Sequence, residues 1–127
     1  MAASEMAPFA RTGSLADVVR SLSGELRARG HEVSVVLPFY RSVKEVADAK
    51  PRSTGVRFTL PIGEKRMGCE ILEATAPNGV QVFFLRRDEY FDRSGLYGVE
   101  GRDYQDNSER FIFFSKGVVE LARRFDP

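Results

Sequence analysis

Apolar residues recur at helical spacing near both ends of the chain and in short unbroken runs between, an arrangement that predicts an α/β domain. From 15 to 29 the apolar positions are Leu15, Val18, Val19, Leu22 and Leu26. That spacing puts them on one stripe, with Arg20, Glu25, Arg27 and Arg29 elsewhere, and predicts an amphipathic helix with the stripe buried. Ser14 is placed to cap it, and Asp17, three residues on, completes a capping-box-like pair. Gly30, behind Arg27 and Arg29, is a stop signal. A second helical pattern runs from about Asn107 to Arg124, with Phe111, Phe114, Val118, Leu121, Ala122 and Phe125 on its inner face.

Between the helices the runs are strand-like. Val33–Leu37 follows the first helix at once and ends at Pro38, the joint expected of an α/β crossover whose strand is covered on both faces. Residues 41–54 read as a polar surface segment with a short helix. Val56–Leu60, Gly68–Ala74 and Val80–Leu85 are further strands, punctuated by Pro61-Ile62-Gly63 and Pro77-Asn78-Gly79. Asn78-Gly79 suits a tight turn with positive φ, so the last two strands are expected to form a hairpin. Residues 1–10 contain no strong strand: Met1-Ala2-Ala3 is short and small-chained. Residues 86–107 read as a loop, and a loop that long in a small domain usually serves binding.

With 127 residues, the chain suits one domain spanning 1–127. A net charge of +1 gives no electrostatic case for nucleic acid or an anionic membrane as partner. Cys69 is the only cysteine, so no intrachain disulfide is possible. No apolar run approaches the roughly 20 residues of a membrane span, and the start lacks the pattern of a signal peptide. The expected location is the cytoplasm, or the plastid for a plant protein.

Candidate chemistry concentrates at Arg11-Thr12-Gly13-Ser14. Gly13 would let a phosphate approach the backbone, unpaired amides of the helix start would bind it, and Arg11 would add charge-assisted hydrogen bonds. A plainer reading makes Gly13 a turn, Ser14 a cap and Arg11 a solvated charge; spacing alone leaves both open. Asp106 and Asn107 could accept hydrogen bonds from sugar hydroxyls or simply cap the last helix. The aromatic segment Tyr90–Tyr97 could stack on a base or sugar, or form an ordered surface loop. His31, the sole histidine, reads as a helix C-terminal partner and Cys69 as inert core. Metal-ligand clusters are absent from the sequence.

The run Ser4-Glu-Met-Ala-Pro-Phe-Ala-Arg-Thr-Gly-Ser-Leu-Ala-Asp-Val18 resembles the N-terminal signature of bacterial glycogen synthases and plant starch synthases, whose usual form ends Lys-Thr-Gly-Gly-Leu-Ala-Asp-Val. The similarity continues through Gly30-His31-Glu32-Val33 and Leu37-Pro38. It resumes at Phe91-Asp92-Arg93, at Leu96-Tyr97-Gly98 and at Asp106-Asn107 with Arg110-Phe111.

The resemblance implies an α/β, Rossmann-like partial N-terminal lobe of a two-lobed, GT-B type glycosyltransferase, with a mixed sheet flanked by helices. It implies transfer of glucose from ADP-glucose to the 4-OH end of an α-1,4-glucan, with retention and without a metal or other cofactor. By position, Arg11 takes the place of a phosphate-contacting lysine, and Thr12, Gly13 and Ser14 complete that loop. Asp106 and Asn107 lie where the family has an active-site pair, and Phe91 where some members have a tyrosine near the nucleotide. The family's second lobe, its His-Asp-Trp segment and the apolar run before Ser4 have no counterpart here. The expectation is therefore a fragment inactive by itself, with a non-catalytic glucan- or nucleotide-binding module, or a partner subunit, as the alternative.

Overall fold

The computed structural model describes residues 1–125. Its elements are α1 (Ser14–Ala28), β1 (Ser34–Pro38), α2 (Arg41–Lys44), β2 (Arg52–Ile62), β3 (Lys65–Thr75), β4 (Gln81–Arg86), α3 (Asp88–Phe91), β5 (Gly98–Val99), β6 (Arg102–Asp103) and α4 (Asn107–Phe125). Four strands form one sheet in the order β1-β4-β3-β2, and β5 pairs with β6 separately. β1 lies parallel to β4, whereas β3 is antiparallel to both β4 and β2, so the sheet is mixed as expected.

β4 is the spine. Val82, Phe83, Phe84 and Leu85 are all buried, because neighbouring side chains of a strand point to opposite faces and both faces are covered. On one face Phe83 stacks on Phe125 of α4, with ring centroids 5.1 Å apart. On the other, Phe84 meets Phe9 edge-on at 5.3 Å and Phe39 at 5.6 Å. Gly117 lies where α4 presses on Leu85, leaving no room for a side chain.

The hairpin around Asn78-Gly79 forms, with Gly79 at φ +86°. So does the stop after α1. Gly30, at φ +91°, donates to the Arg27 carbonyl at 3.0 Å and His31 to that of Leu26 at 3.1 Å, a Schellman closure.

Several expectations are corrected. The buried face of α1 consists of Ala16, Val19 and Ser23, with Leu26 half-buried, while Leu15, Val18 and Leu22 are exposed. Close approach selects this face: a side chain at Gly24 would meet Asn78 at 3.2 Å, and Asn78 donates to the Arg20 carbonyl at 3.0 Å. Gly13, not Ser14, is the N-cap residue, with no side-chain cap, and Asp17 is drawn to Arg11 instead of the backbone.

The strands flanking Gly63 are longer than their sequence punctuation implied and form a second hairpin. Pro61 is tolerated because β2 is an edge strand, where a missing N–H costs no ladder bond. Residues 86–107 are not wholly irregular, since they hold α3 and the β5–β6 hairpin.

On α4, Ala122 is exposed and Phe125 packs on Phe83 with only its outer part in solvent, while Arg110, Phe113 and Gly117 join Phe114 and Leu121 in the buried face. The N-terminal segment is also more than a weak lead-in. Ala2 bridges Val36 in parallel, flanked by Val36 N–H to the Met1 carbonyl at 2.7 Å and Ala3 N–H to the Val36 carbonyl at 3.1 Å. Met6, Phe9 and Ala10 are core residues. Among the described residues, no helix is long and apolar enough to cross a membrane.

Removing the two γ-methyls of Val19 by Val19→Ala should cost about 2 kcal/mol from transfer and cavity terms. Leu22→Lys on the exposed side should cost less than about 0.5 kcal/mol. Urea unfolding of the two variants checks the reassigned face, and equal losses would contradict it. Gly117→Ala should cost about 1–3 kcal/mol by overpacking against Leu85, read as a lower thermal midpoint.

Candidate functional site

Met1–Ala3, β1 and β4 run parallel, so the segments following them leave the same edge of the sheet. Such an edge is where α/β sheets form crevices. Here those segments are tied together by side chains. The Ser42 hydroxyl donates to the Phe9 carbonyl at 2.7 Å, and Arg41 Nε donates to Asp92 Oδ1 at 3.0 Å. The Tyr97 hydroxyl donates to Glu5 Oε2 at 2.7 Å.

At the mouth of α1, Arg11, Thr12, Gly13 and Ser14 are all exposed. Arg11 is turned onto Asp17, with Nη2 2.8 Å from Oδ2 and Nε 3.2 Å from Oδ1. This hydrogen-bonded contact holds the Asp17 carboxyl below its ordinary value. The amides just before the helix are already used. Thr12 N–H donates to Glu5 Oε1 at 2.7 Å, Gly13 N–H to the same oxygen at 3.3 Å, and the Thr12 hydroxyl to Oε2 at 2.6 Å.

Glu5 is 4% exposed. Burial pushes its pKa up, and the bonds from Thr12, Tyr97 and Gly13 outweigh that, leaving it below 4.5. What remains free for an incoming anion is the first turn of α1. Its amides have no intrahelical acceptor and receive no side-chain cap. No atom lies within 4 Å of where a Gly13 side chain would be, so the approach is open.

Asp106 and Asn107 begin α4 close by, and both side chains are engaged. Arg93 grips Asp106 with two bonds of 2.8 and 2.7 Å, which holds the Asp106 carboxyl below its ordinary range. Asn107 Nδ2 donates to the Tyr97 carbonyl at 2.8 Å, and its Oδ1 accepts from Arg110 Nη1 at 2.7 Å. The Asp106 carbonyl takes the Arg110 N–H at 2.9 Å. Phe91 has no exposed surface, so in this arrangement a direct contact with a nucleotide is not available to it. It meets Tyr40 at 5.6 Å and lies 5.2 Å from the Arg110 guanidinium.

Arg110 was not singled out as a core residue, yet it is fully buried. Its Nε donates to the Tyr90 carbonyl at 2.7 Å and Nη1 to the Leu96 carbonyl at 3.0 Å, while Nη2 and the nearby Tyr40 hydroxyl have no partner among the described residues. Desolvation lowers its pKa. Tyr104 lies between Arg93 and Arg110, 4.8 and 4.9 Å from the two guanidiniums.

Glu5 likewise has no role in the sequence reading, whereas Tyr97 and Arg93 lie in the Tyr90–Tyr97 segment read as a stacking surface and are instead engaged by Glu5 and Asp106. For Arg110 a signal existed: with Phe114, Gly117 and Leu121 it keeps the helical period. Cys69 is buried in β3 with its thiol pushed up to about 12, too high for a ready nucleophile. The groove of about 630 Å³ lined by Arg57, Arg86 and Arg87 lies elsewhere, and each arginine there is paired with a carboxylate. Among the described residues no group of His, Cys, Asp and Glu could hold a metal ion.

Comparison with known proteins places the chain in a family. A starch synthase catalytic domain profile matches residues 1–127. The glycogen synthase of Opitutus terrae is 44% identical over 124 residues, covering 98% of this chain and 26% of that protein. That of Koribacter versatilis is 43% identical over 122 residues, covering 96% of this chain and 25% of its own length. The solved catalytic domain of starch synthase IV from Arabidopsis thaliana, bound to ADP and acarbose, aligns with a TM-score of 0.79 at 29% identity. That alignment covers 97% of this chain and 24% of the plant one. The chain thus spans about a quarter of the length of the relatives it matches, and it belongs to the starch synthase catalytic domain family.

Proposed function

We propose that residues 1–127 are the N-terminal portion of a glycogen or starch synthase. That enzyme moves glucose from ADP-glucose to the 4-OH end of an α-1,4-glucan in the cytoplasm, with a C-terminal nucleotide-binding lobe completing the site. The observation that carries the reading is whole-chain similarity to a catalytic domain solved with ADP and acarbose, a nucleotide and a sugar analogue. The open first turn of α1 supports it.

In this reading the diphosphate lies against the first-turn amides beyond Gly13 and Ser14. As the bond from the anomeric carbon to the diphosphate breaks, negative charge grows on the departing ADP. Helix amides and the dipole disperse that charge without reorganising.

Arg11 swings from Asp17 to the phosphate. Exposed ion pairs are weak, and side chains 60% and 47% exposed define such a pair here. A diphosphate carries more negative charge than the single Asp17 carboxylate and offers the guanidinium a two-point contact as well, so the phosphate draws Arg11 away. Thr12 is fixed beneath by Glu5. Asp106 and Asn107 form the neighbouring wall, where their unused lone pairs face sugar hydroxyls, and Phe91 supports them from inside.

Splicing residues 1–127 in place of the matching segment of the Opitutus terrae glycogen synthase should give an enzyme that moves labelled glucose from ADP-glucose to glycogen. A folded chimera without transfer would overturn the proposal. Within it, Arg11→Ala should raise the KM for ADP-glucose about tenfold, the loss expected for one charged hydrogen bond. The 127-residue chain alone should transfer no glucose, and measurable turnover would refute its dependence on a second lobe.

A further inference from the structure

Glu5 spends all its hydrogen-bonding capacity inside the protein. Two adjacent loop amides, one threonine hydroxyl and one phenol converge on its two oxygens. The phenol is Tyr97, whose oxygen also lies 2.8 Å from the Ser4 hydroxyl. Since Tyr97 donates to Glu5, the serine is left to donate to Tyr97. One peptide unit further in, the Tyr97 carbonyl accepts from both Tyr104 N–H at 2.9 Å and Asn107 Nδ2 at 2.8 Å. The path continues from Asn107 Oδ1 to buried Arg110.

The loop before α1 and the start of α4 lie about ninety residues apart in sequence, yet one buried carboxylate and one tyrosine join them. The geometry points to Glu5 and Tyr97 as positioning residues of the donor loop. The carboxylate fixes Thr12 and Gly13 so that the first amides of α1 face outward, and Tyr97 makes that conformation and the placement of Asn107 one unit. This rests on the reading of the loop as the donor diphosphate's site.

Two physical points favour it over a merely filled gap. First, Glu5 carries the same charge as a phosphate and already saturates the Thr12 and Gly13 amides, so an incoming diphosphate is directed past them to the uncapped turn. Second, a carboxylate held by several donors in a buried place strongly resists rotation, because losing any one donor leaves an unmatched charge. Around Glu5 the titratable groups are Tyr97 in contact, with Arg11 and Tyr40 near enough to feel its charge. With its carboxyl held below the ordinary 4.5, the stabilisation is complete above that pH and is lost as pH falls through the folded value.

The test uses the 127-residue chain, NMR and ADP as ligand. Tyr97→Phe removes the phenol's hydrogen bonds without opening a large cavity. It should shift the Thr12 and Gly13 backbone amides and the Asn107 side-chain amide together, and raise the pH at which the Glu5 carboxyl carbon titrates. It should also weaken ADP binding by about tenfold, the loss expected for one hydrogen bond to a charged group. Ser4→Ala, which strips only the bond behind the phenol, should move the same signals less and serves if Tyr97→Phe does not fold. Loop amides or an Asn107 amide that stay in place would overturn the inference. ADP that leaves the first-turn amides of the unmodified chain unmoved would overturn the donor-site reading, while the response of Asn107 to Tyr97→Phe still decides whether the two segments are one unit.

Discussion

Parallel pairing of β1 with β4 is the constraint from which the candidate site follows. Parallel strands cannot be joined by a tight turn, so the chain must leave each at the same end and travel back. Met1–Ala3 adds a third short member in the same direction. Three outgoing segments are thereby delivered to one edge, and residues distant in sequence become neighbours there. The antiparallel β2 and β3 extend the sheet on its other side, and β2 supplies part of the surface under α4.

Two ion pairs at this edge show how exposure sorts charges by task. Arg11 and Asp17 are both largely open to water, which screens their attraction and leaves Arg11 able to exchange partners. Arg93 and Asp106 are 22% and 36% exposed, doubly hydrogen-bonded, and flanked by Tyr104 on the guanidinium face. Planar two-point contact and aromatic stacking hold that pair in one geometry. The first pair is free to open, and the second is held in place.

Much of the fold was legible because the governing interactions are local. Gly30 announces a left-handed closure, Asn78-Gly79 a tight turn, and Val82–Leu85 a strand covered on both faces, and each occurs. The buried face of α1 was misread because hydrophobicity ranks Leu15, Val18 and Leu22 above Ala16 and Ser23. Contact distance ranks them the other way when a helix must settle against the Asn78 turn.

The candidate loop could be read from its spacing either as an anion site or as a plain turn, and its tie to Glu5 was not legible at all. A lone acidic residue near a chain's start reads as solvated, and only folding supplies the donors that bury it. The same holds for Phe91, where an aromatic residue in a loop suggests stacking on a ligand and the fold seals it among Tyr40, Tyr90 and Phe113.

The chain has four tyrosines and no tryptophan. Tyr40, Tyr90, Tyr97 and Tyr104 all stand around Arg110 and the start of α4, within the hydrogen-bonded and cation–π contacts of that one edge. Near-ultraviolet absorbance and intrinsic emission therefore watch this corner and are nearly blind to the β2–β3 hairpin. Because regions of a protein open with different free energies, a transition followed at tyrosine wavelengths would record the loosening of the edge. It describes the entire chain only when it coincides with the loss of backbone dichroism.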